Sequence, residues 1–234
     1  MPLPVIAPYL VDDVVGLEAN VTDWQLVPNR SAVLVHDMQR HFVQVFEAGP
    51  GTQIELAVVR TARIIACARR AGVPVIYTAQ PPSQHPADRA LLTDFWGPGL
   101  PDPRAAEIIA ALAPHPGDTV LTKWRYSAFH RSDLQERLAA RGLDQLVLTG
   151  VYAHIGCLAT ALAAFMHGVK TFFVADAMAD FSREDHEMAS RYVARRCGQV
   201  ATTEQIVKEL GGAPLVPPAP TVAGRDLAAP VSLR

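Results

Sequence analysis

The apolar positions of this chain fall into short β-branched runs separated by longer segments of helical spacing. SAVLVHD (Ser31 to Asp37), VPVIYTA (Val73 to Ala79), DTVLT (Asp118 to Thr122), QLVLTGV (from Gln145), TFFVADA and a last short run, Gln199 to Thr202, read as strands. They are nearly continuous in apolar residues, as expected of strands covered on both faces. Between them, Ile54, Val58, Ile65 and Ala68 recur at helical spacing from Thr52 to Ala71, with Gly72 as the stop. Pro103 to Leu112 is a weaker helix. Ser132 with Gln135, Ser182 with Asp185, and Thr202 with Gln205 each mark a capping box opening a further helix. The segment Gly156 to Gly168 is helical in spacing and apolar on most sides, which suits a helix buried in the domain or against another subunit. Six strands alternating with helices predict an α/β, three-layer, doubly wound parallel sheet of Rossmann-like type. In such sheets ligands bind at the carboxyl ends of strands, so Asp37, Gln39, Gln80, Lys123, Tyr152 and Gly156 all fall where chemistry is expected.

The flanks differ from this core. Residues 1–30 carry several prolines without periodicity and read as an extended surface arm that Trp24 anchors. Residues 31–211 form the domain, and 212–234 are Pro- and Ala-rich, a composition suited to an extended tail. The connection PPSQHPADRALLTDFWGPG is long and irregular, and loops of that length are commonly functional.

Composition narrows the function without choosing it. In 234 residues, 50% are hydrophobic and 19% charged, and the formal net charge is −2, so no electrostatic case exists for nucleic acid or an anionic membrane. No run approaches the roughly 18 apolar residues of a spanning helix, and the first residues lack the pattern of a secretory signal, which makes the cytoplasm the default expectation. The chain has three cysteines, Cys67, Cys157 and Cys197, without paired metal spacing, and they are expected to be buried free thiols. None of its eight histidines lies in a D-x-H or H-x-H pair, so neither metal nor cofactor is expected.

From spacing alone, Asp37 reads equally well as a helix cap, Lys123 as a solvated surface charge and Arg89 as an exposed loop arginine. HDMQ, YTAQP, DRALL, KWRYSAFHRS, GVYAHIG and ADAMADFSREDH together change that, because they resemble motifs of the isochorismatase family. In the wider cysteine-hydrolase superfamily, GVxxDxC carries a nucleophilic Cys. Laid over GVYAHIG, that slot holds Gly156, while Cys157 comes one residue late and is rotated by roughly 100°. The resemblance therefore implies the branch that hydrolyses a vinyl ether without a covalent intermediate: isochorismate, or its 2-amino-2-deoxy analogue in phenazine-type pathways, yields pyruvate and a cyclohexadiene product. It assigns Asp37 as the acid, Lys123 as its catalytic partner, and Gln39, Gln80, Arg89, Tyr152 and Gly156 to substrate. It also implies a homodimer or larger assembly. Phe46, Trp96 and Phe129 are candidate apolar walls, and His154 is expected to have a structural hydrogen-bonding role. Some relatives continue into an aryl-carrier domain, and no such activity is expected here. A Cys157-dependent amidase and a non-catalytic binding protein are the rival classes.

Overall fold

The computed structural model describes residues 3–11 and 19–213. The Pro- and Ala-rich tail expected at the C-terminus lies, from residue 214, outside them. Six parallel strands, β1 (Ser31–His36), β2 (Val75–Ala79), β3 (Thr119–Thr122), β4 (Gln145–Val151), β5 (Lys170–Ala179) and β6 (Gln199–Ala201), form one sheet in the order β3-β2-β1-β4-β5-β6. Burial follows position in that order. Every residue of β1 and β4 is buried, whereas the edge strands β3 and β6 each bury a single residue. Apolar strands need both faces covered, and two layers of helices cover them. Gln53–Arg70 and Thr203–Glu209 pack one face through Ile64, Ala68 and Ile206. Leu134–Ala140, Leu158–Met166 and Arg183–Arg196 pack the other through Leu138, Ala161 and Val193.

Local signals place most of these elements. Thr52 caps the first long helix by accepting from the Glu55 N–H, and its buried side is Ile54, Ala57, Thr61, Ile64, Ile65 and Ala68, with Val58 only half-buried. Ser182 caps Arg183–Arg196, and Thr202 with Gln205 closes a full capping box. The box expected at Ser132 does not form, since its hydroxyl donates to the Ala128 carbonyl at 2.5 Å and the helix begins at Leu134 without a side-chain cap. The helix expected over Pro103 to Leu112 breaks into one turn, Pro103–Ala106, and a 3-10 turn, Ala110–Leu112. Between them Glu107 O accepts from Arg40 N and Ile109 N donates to Met38 O, so pairing with the segment after β1 displaces intrahelical bonds. The irregular connection after β2 holds two short helices, Pro86–Arg89 and Leu92–Trp96.

The arm is extended, as expected, but it is tied into the core. Ile6 is buried and exchanges backbone hydrogen bonds with Val45 and Glu47. Trp24 stands edge-on to Phe172, with its backbone N–H donating to the Gln199 side chain.

Neighbouring strands β1 and β4 leave the sheet in opposite directions, which opens a crevice at their carboxyl ends. The two strand ends approach so closely that Gly150, at φ +112°, has no room for a side chain against the His36 backbone.

Candidate active site

Asp37 is the first residue beyond β1, at φ +49°, a conformation that non-glycine residues rarely adopt. Thr78 of β2 holds it there, its Oγ accepting from the Asp37 N–H at 3.1 Å and donating to Oδ1 at 2.6 Å. Lys123 follows β3, and its own N–H continues the pairing with β2 by donating to the Ala79 carbonyl. That bond aims the ammonium inward, where Nζ donates to Asp37 Oδ2 at 2.8 Å with both side chains almost wholly buried. Burial pushes the Asp37 carboxyl up, but Lys123, His36 and Thr78 together outweigh it and hold the group below its ordinary 3.8.

This pair forms the floor of a cavity of about 850 Å³. Gln80, Arg89, Tyr152 and Gly156 line the same cavity, so six of the seven residues singled out in the sequence converge. Arg89 is buried, with Nε donating to the Gly97 carbonyl at 2.5 Å and Nη1 to Gln84 at 3.3 Å, and it meets the cavity already oriented by protein acceptors. Tyr152 presents its ring, because its hydroxyl donates to the Phe42 carbonyl at 2.9 Å.

Gln39 does not join them. It is fully buried away from the cavity, and its amide is consumed by Gln80 N, Gln80 O and Ala106 O at 2.7–2.8 Å. It fixes the loop that carries Gln80 instead of meeting a ligand. Of the expected apolar walls only Trp96 lines the cavity, joined to Tyr126 by an indole N–H to phenol bond of 2.9 Å. Phe46 lies behind Tyr152, and Phe129 packs in the other helical layer beside His167. Phe181 completes the wall, 4.5 Å from the Tyr152 ring centre.

Cys157 is fully buried, and burial raises its thiol well above the ordinary 9.0, so it can neither reach a substrate nor ionise to attack one. Cys67 and Cys197 are also buried and free. His154 has the structural bond expected of it, Nδ1 to Asp180 Oδ1 at 2.5 Å, while its N–H donates to Oδ2 at 2.6 Å. Two neighbours of the acid escape sequence reasoning. In the sequence Thr78 and His36 read only as parts of apolar strands; a polar residue at the carboxyl end of a buried strand is the available signal.

The Isochorismatase domain model matches residues 31–205. The chain is 50% identical over 215 residues, 92% of its own length and 69% of the relative's, to a protein named Isochorismatase from Bacillus subtilis. It is 49% identical over 206 residues, 88% of its length and 98% of the relative's, to Phenazine biosynthesis protein PhzD of Pseudomonas fluorescens. Among solved structures, a cysteine hydrolase from Pseudomonas syringae pv. phaseolicola superposes with a TM-score of 0.74 at 26% identity, covering 83% of this chain and 98% of that one.

Proposed function

Because this chain belongs to the isochorismatase family, we propose that it hydrolyses the enolpyruvyl vinyl ether of isochorismate by general-acid protonation of its methylene carbon from Asp37. The observation that carries this reading is a carboxyl locked to an ammonium at 2.8 Å on the floor of a cavity into which no thiol is aimed. A vinyl ether resists nucleophiles until its methylene carbon is protonated. Asp37 gives its proton to that carbon, the ether oxygen stabilises the resulting cation, and water adds to the cationic carbon. The hemiketal collapses to pyruvate and the ring alcohol, and the proton lost from water returns to Asp37. The overall reaction consumes one water and needs no oxidant.

Lys123 opposes protonation of Asp37 in the free enzyme. A substrate bearing carboxylates draws the ammonium toward itself, which weakens its hold on Asp37 and raises that group's proton affinity when the proton is needed. Arg89 and Gln80 meet the polar edge of the substrate, and Tyr152 and Trp96 flank a slot for its ring, with Gly156 at its edge. The 2-amino-2-deoxy analogue is the second substrate this reading admits, supported by the 49% identity to Phenazine biosynthesis protein PhzD. Incubating the full chain with each compound and coupling pyruvate to lactate dehydrogenase tests both. Release from isochorismate that Asp37→Asn abolishes is the expected result; release from neither compound overturns the reading.

Residues 31–211 act as the hydrolase domain in this reading. Three unpaired cysteines suit a reducing compartment such as the cytoplasm. Leu162, Phe165 and Met166 expose 36–71% of their surface on Leu158–Met166, and Met188 and Tyr192 are also exposed on the helix packed against it. An apolar patch of this kind favours a homodimer through these helices. Light scattering of Phe165→Glu, expected to be monomeric, checks it.

A further inference from the structure

The geometry points to His36 as a positioning residue that, paired with Gly156, closes this site to any side chain at position 156. The inference deepens the proposed vinyl-ether hydrolysis and rests on it for its catalytic part.

His36 ends β1 with 1% of its surface exposed, at a position where a parallel strand buried on both faces ordinarily carries Val or Ile. Its ring lies directly against Gly156. A Cβ built on Gly156 would interpenetrate Cε1 of the imidazole and lie 2.8 Å from Nε2 and 3.0 Å from Nδ1. The neutral ring has one N–H, which at Nδ1 donates to the Val151 carbonyl at 2.8 Å, while Nε2 lies against the Tyr126 carbonyl at 3.2 Å, so backbone oxygens flank the ring on both sides. Those contacts join three strand ends. Val151 precedes Tyr152 at the end of β4, Tyr126 lies just beyond Lys123 after β3, and His36 itself precedes Asp37 after β1. One imidazole, bordering the cavity with its side chain almost wholly buried and held to a backbone carbonyl, thus fixes the spacing of the acid, the ammonium and the cavity floor.

The space that a side chain at 156 would take is occupied from below by the imidazole, so the two positions form one arrangement. A Cys at 156 would need a smaller residue at 36, and removing the imidazole would leave Asp37 and Lys123 present but their strand ends untied.

A double-mutant cycle on the full chain tests this with His36→Val, Gly156→Ala and the pair, each read by urea midpoint and by pyruvate release. Gly156→Ala alone is expected to lower the midpoint and cut turnover at least about tenfold, whereas in the His36→Val background the same change leaves the midpoint unmoved. His36→Val is expected to lower kcat about tenfold or more with KM within about threefold of the parent. His36→Asn, whose amide can still donate to the Val151 carbonyl, is expected to recover part of that kcat. If Gly156→Ala fails to fold and the pair folds, the coupling is upheld. A native midpoint for Gly156→Ala, an additive cycle, a pair that fails to fold where His36→Val folds, or a native kcat for His36→Val overturns the inference. The midpoints need no substrate, so an inactive parent enzyme would sink the proposed function and leave the coupling measurable.

Discussion

Asp37 and Asp180 are both buried carboxylates just beyond a strand of the same sheet, and each bonds a basic side chain from a different strand end. They are held oppositely. A permanent cation and the Thr78 hydroxyl keep Asp37 below the ordinary carboxyl value, although burial works against them. For Asp180 burial prevails over His154 and the N–H groups of His154 and Phe181, and its carboxyl is raised. By proton affinity alone Asp180 is the stronger proton holder of the two. Yet its carboxylate has no exposed surface and does not line the cavity, while Asp37 does. Access selects the acid, and a substrate can alter the proton affinity of the group it touches. Asp180 instead frames the site, since its neighbour Phe181 forms a wall against Tyr152.

The sharpest break in this comparison comes from neutralising each carboxylate in turn. Asp37→Asn is expected to cost about 10²- to 10⁴-fold in pyruvate release, the range of general acid catalysis, and Asp180→Asn less than about tenfold. An Asp180→Asn enzyme as dead as Asp37→Asn would erase the distinction between acid and frame.

Removing the fixed cation comes next. Lys123→Met leaves Asp37 buried without its partner, a change worth roughly 3–5 kcal/mol when the charge persists. With burial then unopposed by the ammonium, the folded-state pKa of Asp37 moves upward. The sign of linkage reverses with it. In the parent, a depressed Asp37 contributes stability above the unfolded carboxyl value that disappears as pH falls through the folded pKa; in the variant, stability is greatest at low pH and declines as pH rises. Between pH 4 and pH 8 the parent's Asp37 contribution is flat, since its loss lies below the ordinary 3.8, whereas the variant's declines with rising pH; urea midpoints over that range separate them, and a parallel pair of curves would show that Lys123 does not set the charge of Asp37.

Two buried histidines govern the parent's own acid response. Burial, joined by Lys123, outweighs Asp37 and the carbonyls of Val151 and Tyr126 at His36 and lowers it to about 4; His186 is lowered to about 4 chiefly by burial. The unfolded chain therefore binds more protons than the folded one between about pH 6.5 and 4, and stability falls as pH falls, by on the order of 3 kcal/mol per histidine once both are charged. His154, raised through Asp180 despite its burial, pulls the other way. Circular dichroism melts from pH 7 to pH 4.5 are expected to show a falling Tm, with a shallower fall in His186→Asn.

What could be read in advance divides along the same line as the two carboxylates. The strand runs, the switch between β1 and β4, and the residues one step past each strand end are local facts, so Asp37, Lys123, Tyr152 and Gly156 were legible as a group. Gln39 misled because a strand-end amide looks the same whether it faces a ligand or three backbone groups. Thr78 and His36 were hidden because their partners come from other strands, 41 and 115 residues away. Asp180 and His154 were both visible, but their bond depends on how β4 and β5 align, which includes a register shift between Leu148 and Gly150.

The framing side of the comparison extends into the arm, outside the span matched by the family model. Tyr9 is tied down by a reciprocal pair, its N–H to Gln53 Oε1 at 3.2 Å and Gln53 Nε2 to the Ala7 carbonyl at 3.0 Å. Its hydroxyl accepts from the Asp180 N–H at 2.9 Å and lies 2.8 Å from Nδ1 of His186, which is neutral near pH 7 and takes the phenol proton in a hydrogen bond. One phenol from the arm thus braces the strand end that carries the frame and the helix behind it. Tyr9→Phe keeps the ring and deletes both bonds, leaving an N–H and a ring nitrogen unpaired, at about 1–2 kcal/mol. Because Tyr9 touches neither Asp37 nor Lys123, pyruvate release should change less than about threefold while the urea midpoint falls. An unchanged midpoint would mean that the arm lies on the frame without supporting it; a collapse in turnover would mean that frame and acid are not separable after all.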